Sequence, residues 1–289
     1  MMGGPRVSRR KAEELVFKGL MKLATLIVVG CLLLIVFAII TKGLPAMRLS
    51  MITQTPKGGY YFGKEGGILN AITGSLCLGA GATVLAALVS LPIVLYLNAY
   101  VDKRSKLATW TRFTFDVLWG IPSIVYGAFG FTLMLFLGMR ASLLAGIITV
   151  GLLEIPIMAR AIDEIIKIIP GELHEASYSL GATKLETALR VVVRQALPGI
   201  LTAMLIAFGR GVGDAASVMF TAGFTDQLPS SLNRPVATLP LAIFYQLGTP
   251  VPEVQQRAYA SAFILTLLIL AVSLGARLLS RRYSRFVIR

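Results

Sequence analysis

Histidine is almost missing from this chain, with one residue, His174, in 289. A single imidazole builds neither a Ser/His/Asp nor a Cys/His nucleophile set, and no metal cluster forms around it. Cysteine occurs twice, at Cys31 and Cys77, each inside an apolar run. That pattern supports neither a disulfide nor a metal site, and both residues read as small buried hydrophobes. No Gly-x-x-x-x-Gly-Lys-Ser/Thr loop occurs, so the chain binds no nucleotide by that route. No enzyme active site, cofactor site or metal site is visible. Acidic residues are scarce, 14 against 28 Lys and Arg, and charged residues make up only 15% of the chain. What fills the space is apolar: 56% hydrophobic residues and a mean hydropathy of +0.77. Soluble domains carry about 45–50% apolar residues even when glycine is counted. The chain is therefore expected to be an integral membrane protein. Its apolar runs are long and do not alternate, which selects helices over a barrel.

Six transmembrane helices follow from the hydropathy. Residues 1–19 form a basic aqueous segment, and residues 20–40 a first helix. That helix is long enough to span and is followed by no cleavage signal, so it is read as retained. Residues 41–68 form an outer loop with Tyr60, Tyr61 and Phe62. The core then covers residues 69–279, with spans near 69–97, 113–137, 142–158, 200–222 and 259–279. A basic tail of residues 280–289 closes the chain. In the second span Gly74, Gly79, Gly81, Ala82 and Ala86 would let neighbouring helices approach closely. Of the 28 Lys and Arg, 20 fall on the side of the termini, seven on the other side, and Arg210 inside a span. The positive-inside rule makes both termini cytoplasmic. The basic excess is thus spent on orientation and does not indicate nucleic acid.

Two stretches stand out. The first, Glu172 to Ile200, is polar, helix-prone and interrupted by Gly181. Its charges exclude it from lipid, and Leu180, Leu185, Leu189, Val192 and Val193 recur near helical spacing. Two short amphipathic helices broken at Gly181 are expected. Either they dock on a partner or they pack on their own bundle. In the second, "AFGRGVGDAASVMFTAG", Arg210 and Asp214 are four apart and would share one helix face among Gly209, Gly211 and Gly213. One reading is a transient site for a tetrahedral oxyanion, with Arg210 as donor fork and Asp214 neutralising it between passages. The other is a structural ion pair. Glu154 and Asp116 are expected near the cytoplasmic interface, solvated or capping. Pro122, Ser123 and Tyr126 in "GIPSIVYGAFG" form a hinge, a substrate path or plain packing.

The polar stretch resembles the EAA loop of ABC importer permeases, the matching positions being Glu175, Ala176, Gly181, Ala182, Leu197, Pro198 and Ile200. Four further stretches resemble the phosphate importer permeases, the PstA/PstC pair. They are "GGILNAITGSLCL", "GIPSIVYGAFG", "GRGVGDAASVMFTAG" and "LPLAIFYQLGTPVPEVQQRAYASA", the last closer to PstA. The resemblance covers most of the chain from about Gly66. It implies the type I ABC importer permease fold in the cytoplasmic (inner) membrane. It also implies that Glu175, Ala176, Gly181 and Ala182 couple to an ATPase, while Arg210, Asp214 and Ser123 line the substrate pathway. The implied partners are a second permease subunit, two copies of an ATP-binding subunit, and a periplasmic or extracellular binding protein docking on the outer loops 41–68 and 223–252. Asp214 stands where the family usually has Glu. Phosphate is the implied cargo, with molybdate, tungstate or sulfate as the alternative oxyanions. A transporter working alone would show internal inverted repeats, and none is visible.

Overall fold

A computed structural model describes residues 5–57, 65–102 and 104–283. The aromatic trio Tyr60, Tyr61 and Phe62 and most of the basic tail lie outside them. The first helix, α1 (Pro5–Gly43), is longer than its apolar run, because the basic N-terminal residues continue the same helix. Its apolar window lies outside the bundle. It touches the rest through its outer end, where Lys42 Nζ lies 3.3 Å from Tyr259 Oη. The outer loop then holds a short helix, α2 (Leu49–Thr53), and a two-stranded hairpin, β1 (Pro56–Lys57) antiparallel to β2 (Glu65–Gly66).

The core begins with α3 (Leu69–Ala99). The expected third span is two helices, α4 (Lys106–Trp119) and α5 (Ser123–Phe136), bent by 100°. Pro122 lacks an N–H and pushes Ile121 out of helical backbone, so the helix cannot run on. The elbow is held from inside by Tyr126 Oη, which donates to the Leu118 carbonyl at 3.0 Å. Next comes α6 (Leu143–Lys167), which runs well past residue 158. A short turn leads to α7 (Gly171–Ser179). After Gly181, α8 (Lys184–Glu186), a π-helical stretch (Thr187–Val192) and α9 (Val193–Gly213) form one 30-residue rod. The second half of the polar segment is therefore the foot of a transmembrane helix and not a separate short one. That rod ends at Gly213, so the expected span 200–222 is helical only in its first part. Beyond it the proline-rich outer segment contains α10 (Leu239–Leu247), and α11 (Pro252–Tyr283) completes the fold. Among the described residues five helices are long and apolar enough to span, or six with the bent pair.

α3 and α6 form the most extensive helix pair, joined by α9. Ala86, Val94 and Leu97 of α3 meet Met158, Ala159 and Ile162 of α6 and Ala196, Ala203 and Ala207 of α9. Lipid supplies no hydrophobic drive between helices, so association depends on close approach of small residues. Gly74 shows how close: a Cβ there would collide with the Ala237 carbonyl. Ser90 Oγ ties α3 to α6 by donating to the Ile155 carbonyl at 3.0 Å. Cys31 and Cys77 are free and exposed on their helices, where burial was expected. An apolar thiol is equally suited to a lipid-facing surface.

Candidate functional site

The cytoplasmic knob is rigid by local chemistry. Gly181 takes φ +83°, and Gly181 N donates to the Tyr178 carbonyl at 2.9 Å while Ala182 N donates to the Ser177 carbonyl at 3.2 Å. These two bonds close α7 in a Schellman turn, which favours glycine at that position. Thr183 then caps the next helix. Its Oγ1 accepts from Glu186 N at 3.3 Å, and Glu186 Oε2 accepts from Thr183 N at 2.9 Å. A buried hydrogen bond of 2.8 Å between the Ser177 and Thr187 hydroxyls locks the two arms. Lys184 Nζ lies 5.7 Å from the centroid of the Tyr100 ring, tying the knob to the end of α3. The knob leaves apolar surface uncovered: Leu180 is 89% exposed, with Leu185 and Leu189 about half exposed. Glu175 and Ala176 are exposed beside them, as is Gly181, whose missing Cβ would meet nothing.

Just above the knob, α6 carries a charge cluster that hydropathy did not reveal. Asp163 is fully buried. Its Oδ2 accepts from Arg112 Nε at 2.9 Å, and its Oδ1 accepts from Arg112 Nη2 at 3.1 Å and Asn98 Nδ2 at 2.9 Å. Lys167 Nζ lies 2.6 Å from Oδ2. Arg160 bridges Asp116 at 3.1 Å and Glu164 at 3.3 Å. Asp116 is exposed, as a solvated residue would be, and it also pairs with Arg160 across α4 and α6. The cluster fastens the α4 elbow and α3 to the helix that leads into α7. Its signal was in the sequence: Arg160, Asp163, Glu164 and Lys167 lie at i, i+3, i+4 and i+7, one face of a helix.

At the outer end of α9 the arrangement differs from expectation. Arg210 is exposed and forms no ion pair among the described residues. Asp214 is not on the same helix face. It lies past the helix end with φ −87° and ψ 121°, and its Oδ2 accepts from Ser217 N at 3.2 Å. Gly213 and the extended backbone at Asp214 end the helix, so the i, i+4 spacing fails. Asp214 therefore caps a turn and does not neutralise Arg210. That turn packs against α5: Gly127 has no room for a Cβ beside the Ala216 carbonyl and Ser217. Ser123 is half-buried in the first turn of α5. Glu154 is not near the interface. It sits in the middle of α6, fully buried. The misplacement came from ending the span at residue 158.

This is an integral membrane subunit built like the permeases of binding-protein-dependent importers. Residues 90–285 match the family of binding-protein-dependent transport system inner membrane components. The fold matches the inward-facing MetNI methionine ABC transporter, with TM-score 0.60 and 20% identity over 75% of this chain and 95% of that one. It also matches a bacterial alginate ABC transporter, with TM-score 0.60 and 13% identity over 95% and 96%. Two curated relatives, both phosphate transport system permease proteins PstA, cover nearly the whole chain. The one from Yersinia pestis is 35% identical over 86% of this chain and 83% of its own length. The one from Haemophilus influenzae is 33% identical over 93% and 94%. The chain belongs to the PstA family of phosphate transport system permeases, multi-pass proteins of the inner membrane.

Proposed function

We propose that this chain forms half of a pathway that carries inorganic phosphate inward across the cytoplasmic membrane, driven by ATP hydrolysis on separate subunits. A second, PstC-like permease supplies the other half. Two copies of an ATP-binding subunit sit beneath the pair, and an extracytoplasmic binding protein delivers the ion to the outer loops. The observation that carries this reading is Arg210, an exposed guanidinium without an ion-pair partner near the outer end of a 30-residue membrane helix. A charge at membrane depth facing lipid costs about 3 kcal/mol or more. Facing an aqueous path between two permeases, it gives a planar fork of donors to a passing oxyanion. Ser123 and the turn capped by Asp214 flank the same path. Phosphate that keeps a proton can donate it to an acceptor on the pathway wall, which sulfate cannot do.

The knob explains how the motor acts. Leu180 and its apolar neighbours fit a cleft on the ATP-binding subunit, with Glu175, Ala176, Gly181 and Ala182 shaping the contact. Closing the two ATP-binding subunits drives the knobs together, and the charge cluster passes that movement to α3, α4 and α6. The test is ATP-dependent phosphate uptake by the four-part complex in proteoliposomes, with molybdate, tungstate and sulfate as competitors. Phosphate uptake abolished by Arg210→Ala, and untouched by the competitors, is the expected result. Uptake of molybdate or sulfate in preference to phosphate overturns the cargo. Full uptake by Arg210→Ala overturns the role of Arg210.

A further inference from the structure

Glu154 is used by nothing described so far, and its setting is unusual. It lies at the midpoint of α6 with no solvent exposure, and neither Oε1 nor Oε2 has a hydrogen-bond partner. Thr83 Oγ1 of α3 is itself buried and is the one side-chain hydroxyl within reach of the carboxyl. On the third side Oε1 lies against the backbone of α9 at Gly211. A Cβ on that glycine would collide with Oε1 before anything else. The contact is next to Arg210 in sequence and two residues before the helix ends at Gly213. Three buried polar oxygens therefore meet where α3, α6 and α9 converge, with no charged partner among them.

A carboxylate in such a place, stripped of water and left with one hydroxyl and no cation to face it, is strongly disfavoured. The group is therefore the neutral acid whenever α9 is packed against α6. The helices packed on α6 offer nothing to change this. α3 contains no Asp, Glu, Lys, Arg or His. On α9 the charged residues are Arg194, at its far end, and Arg210, which is exposed. On α5 the ionisable group is Tyr126, bonded to the Leu118 carbonyl. On α4, Arg112 and Asp116 are engaged with Asp163 and Arg160. On α6 itself the charged residues are Arg160, Asp163, Glu164 and Lys167, the first of them six residues beyond Glu154.

We propose that Glu154 is a positioning residue for Arg210 and a proton-linked latch: its neutral carboxyl seats the end of α9 at Gly211, and it gives up its proton when α9 moves away and water enters. The proton passes from the carboxyl to pathway water, and the same site takes one back from water before α9 can reseat. No other bond forms or breaks. The proposal rests on the reading that Arg210 lines the pathway. Reseating must then slow at alkaline pH, by up to about tenfold per pH unit, the limit for a single proton.

The test compares the whole complex with Glu154→Gln, which keeps the shape and cannot ionise. ATP-driven phosphate uptake is measured from neutral to alkaline pH. Wild-type uptake is expected to fall on the alkaline side while Glu154→Gln stays flat and matches wild type at neutral pH. The same alkaline fall in both, or loss of uptake by Glu154→Gln at neutral pH, overturns the latch. A contact test runs in parallel. Gly211→Ala should lower uptake at least tenfold, and Glu154→Ser in the same chain should restore it by making room for the methyl. Absence of that rescue overturns the seating. Infrared difference spectroscopy of ATP-driven cycling gives a readout independent of cargo: a protonated-carboxyl band that disappears in Glu154→Gln. If wild type moves no phosphate yet shows this band, the cargo assignment fails and the latch stands; if the band is absent, the latch fails.

Discussion

Consider Asp163→Ala. The carboxylate accepts two bonds from Arg112 at 2.9 and 3.1 Å and one from Asn98 at 2.9 Å, and it pairs with Lys167 at 2.6 Å. Asp163 is fully buried, the Arg112 side chain is 17% exposed, and Lys167 is 32% exposed. Lys167 keeps Glu164 at 3.0 Å and can turn to water, so its loss is small. Arg112 cannot. Removing one member of a buried pair leaves the other charge uncompensated, at about 3–5 kcal/mol. Allowing for the partial exposure of Arg112, the lower end, about 3 kcal/mol, is expected. Asp163→Asn keeps two acceptor lone pairs and loses the charge, so about 1–3 kcal/mol is expected. Arg112→Met combined with Asp163→Leu replaces the pair by apolar bulk and should recover most of the loss. The assay is equilibrium unfolding of the purified subunit in mixed micelles, followed by helical circular dichroism, for all three variants. If Asp163→Ala lies within about 1 kcal/mol of wild type, the cluster is a screened surface network and the reasoning fails.

Four further outcomes follow from positions already described. Gly181→Ala forces a side chain into φ +83° and should cost about 1–2 kcal/mol of local strain, reducing uptake severalfold in vesicles. Gly181→Arg adds bulk at an open surface, so the subunit should reach the membrane normally while uptake and co-purification of the ATP-binding subunit are both lost. Arg210→Lys replaces a fork by a point charge and should retain partial uptake, measured with labelled phosphate, whereas wild-type uptake would argue against bidentate contact. Gly74→Leu drives a side chain into the Ala237 carbonyl and should cost more than about 3 kcal/mol by overpacking, read as loss of folded protein in detergent.

Much of the architecture can be read from apolar runs, because lipid permits little besides helices. What hydropathy misplaces is where a helix stops. α6 continues to Lys167 because its polar end is satisfied by α3 and α4, and a one-dimensional profile cannot register a partner such as Arg112 that is 51 residues away. Ending the span early moved Glu154 from mid-membrane to the interface and hid its burial. The opposite error occurred on α9, where apolar residues 215–222 looked like more helix but fold as a turn begun by Gly213 and capped by Asp214. At Pro122 the sequence leaves hinge, substrate path and plain packing open within a single span; the 100° bend there is braced by the Tyr126–Leu118 bond and the close packing at Gly127, which no local pattern records. The EAA-like turn was legible because its chemistry is local: Gly181, Thr183 and Glu186 lie within six residues and make their own bonds.

α6 connects these observations. Its cytoplasmic end leads through a three-residue turn into the knob, its last turns hold the Asp163 cluster, and its midpoint carries Glu154 against α9. A displacement of the knob therefore reaches two places. Through Arg112 it reaches α4, whose elbow sets the start of α5 beside the turn at Asp214. Through Glu154 it reaches Gly211 and hence Arg210. Both routes lead to the outer end of α9 and the turn that follows it. Helices as closely packed as α3 and α6 move as a unit, since interiors at this density do not deform continuously. Arg210 sits on α9, which packs on both α3 and α6 through Ala196, Ala203 and Ala207, so a movement of that unit is carried to it.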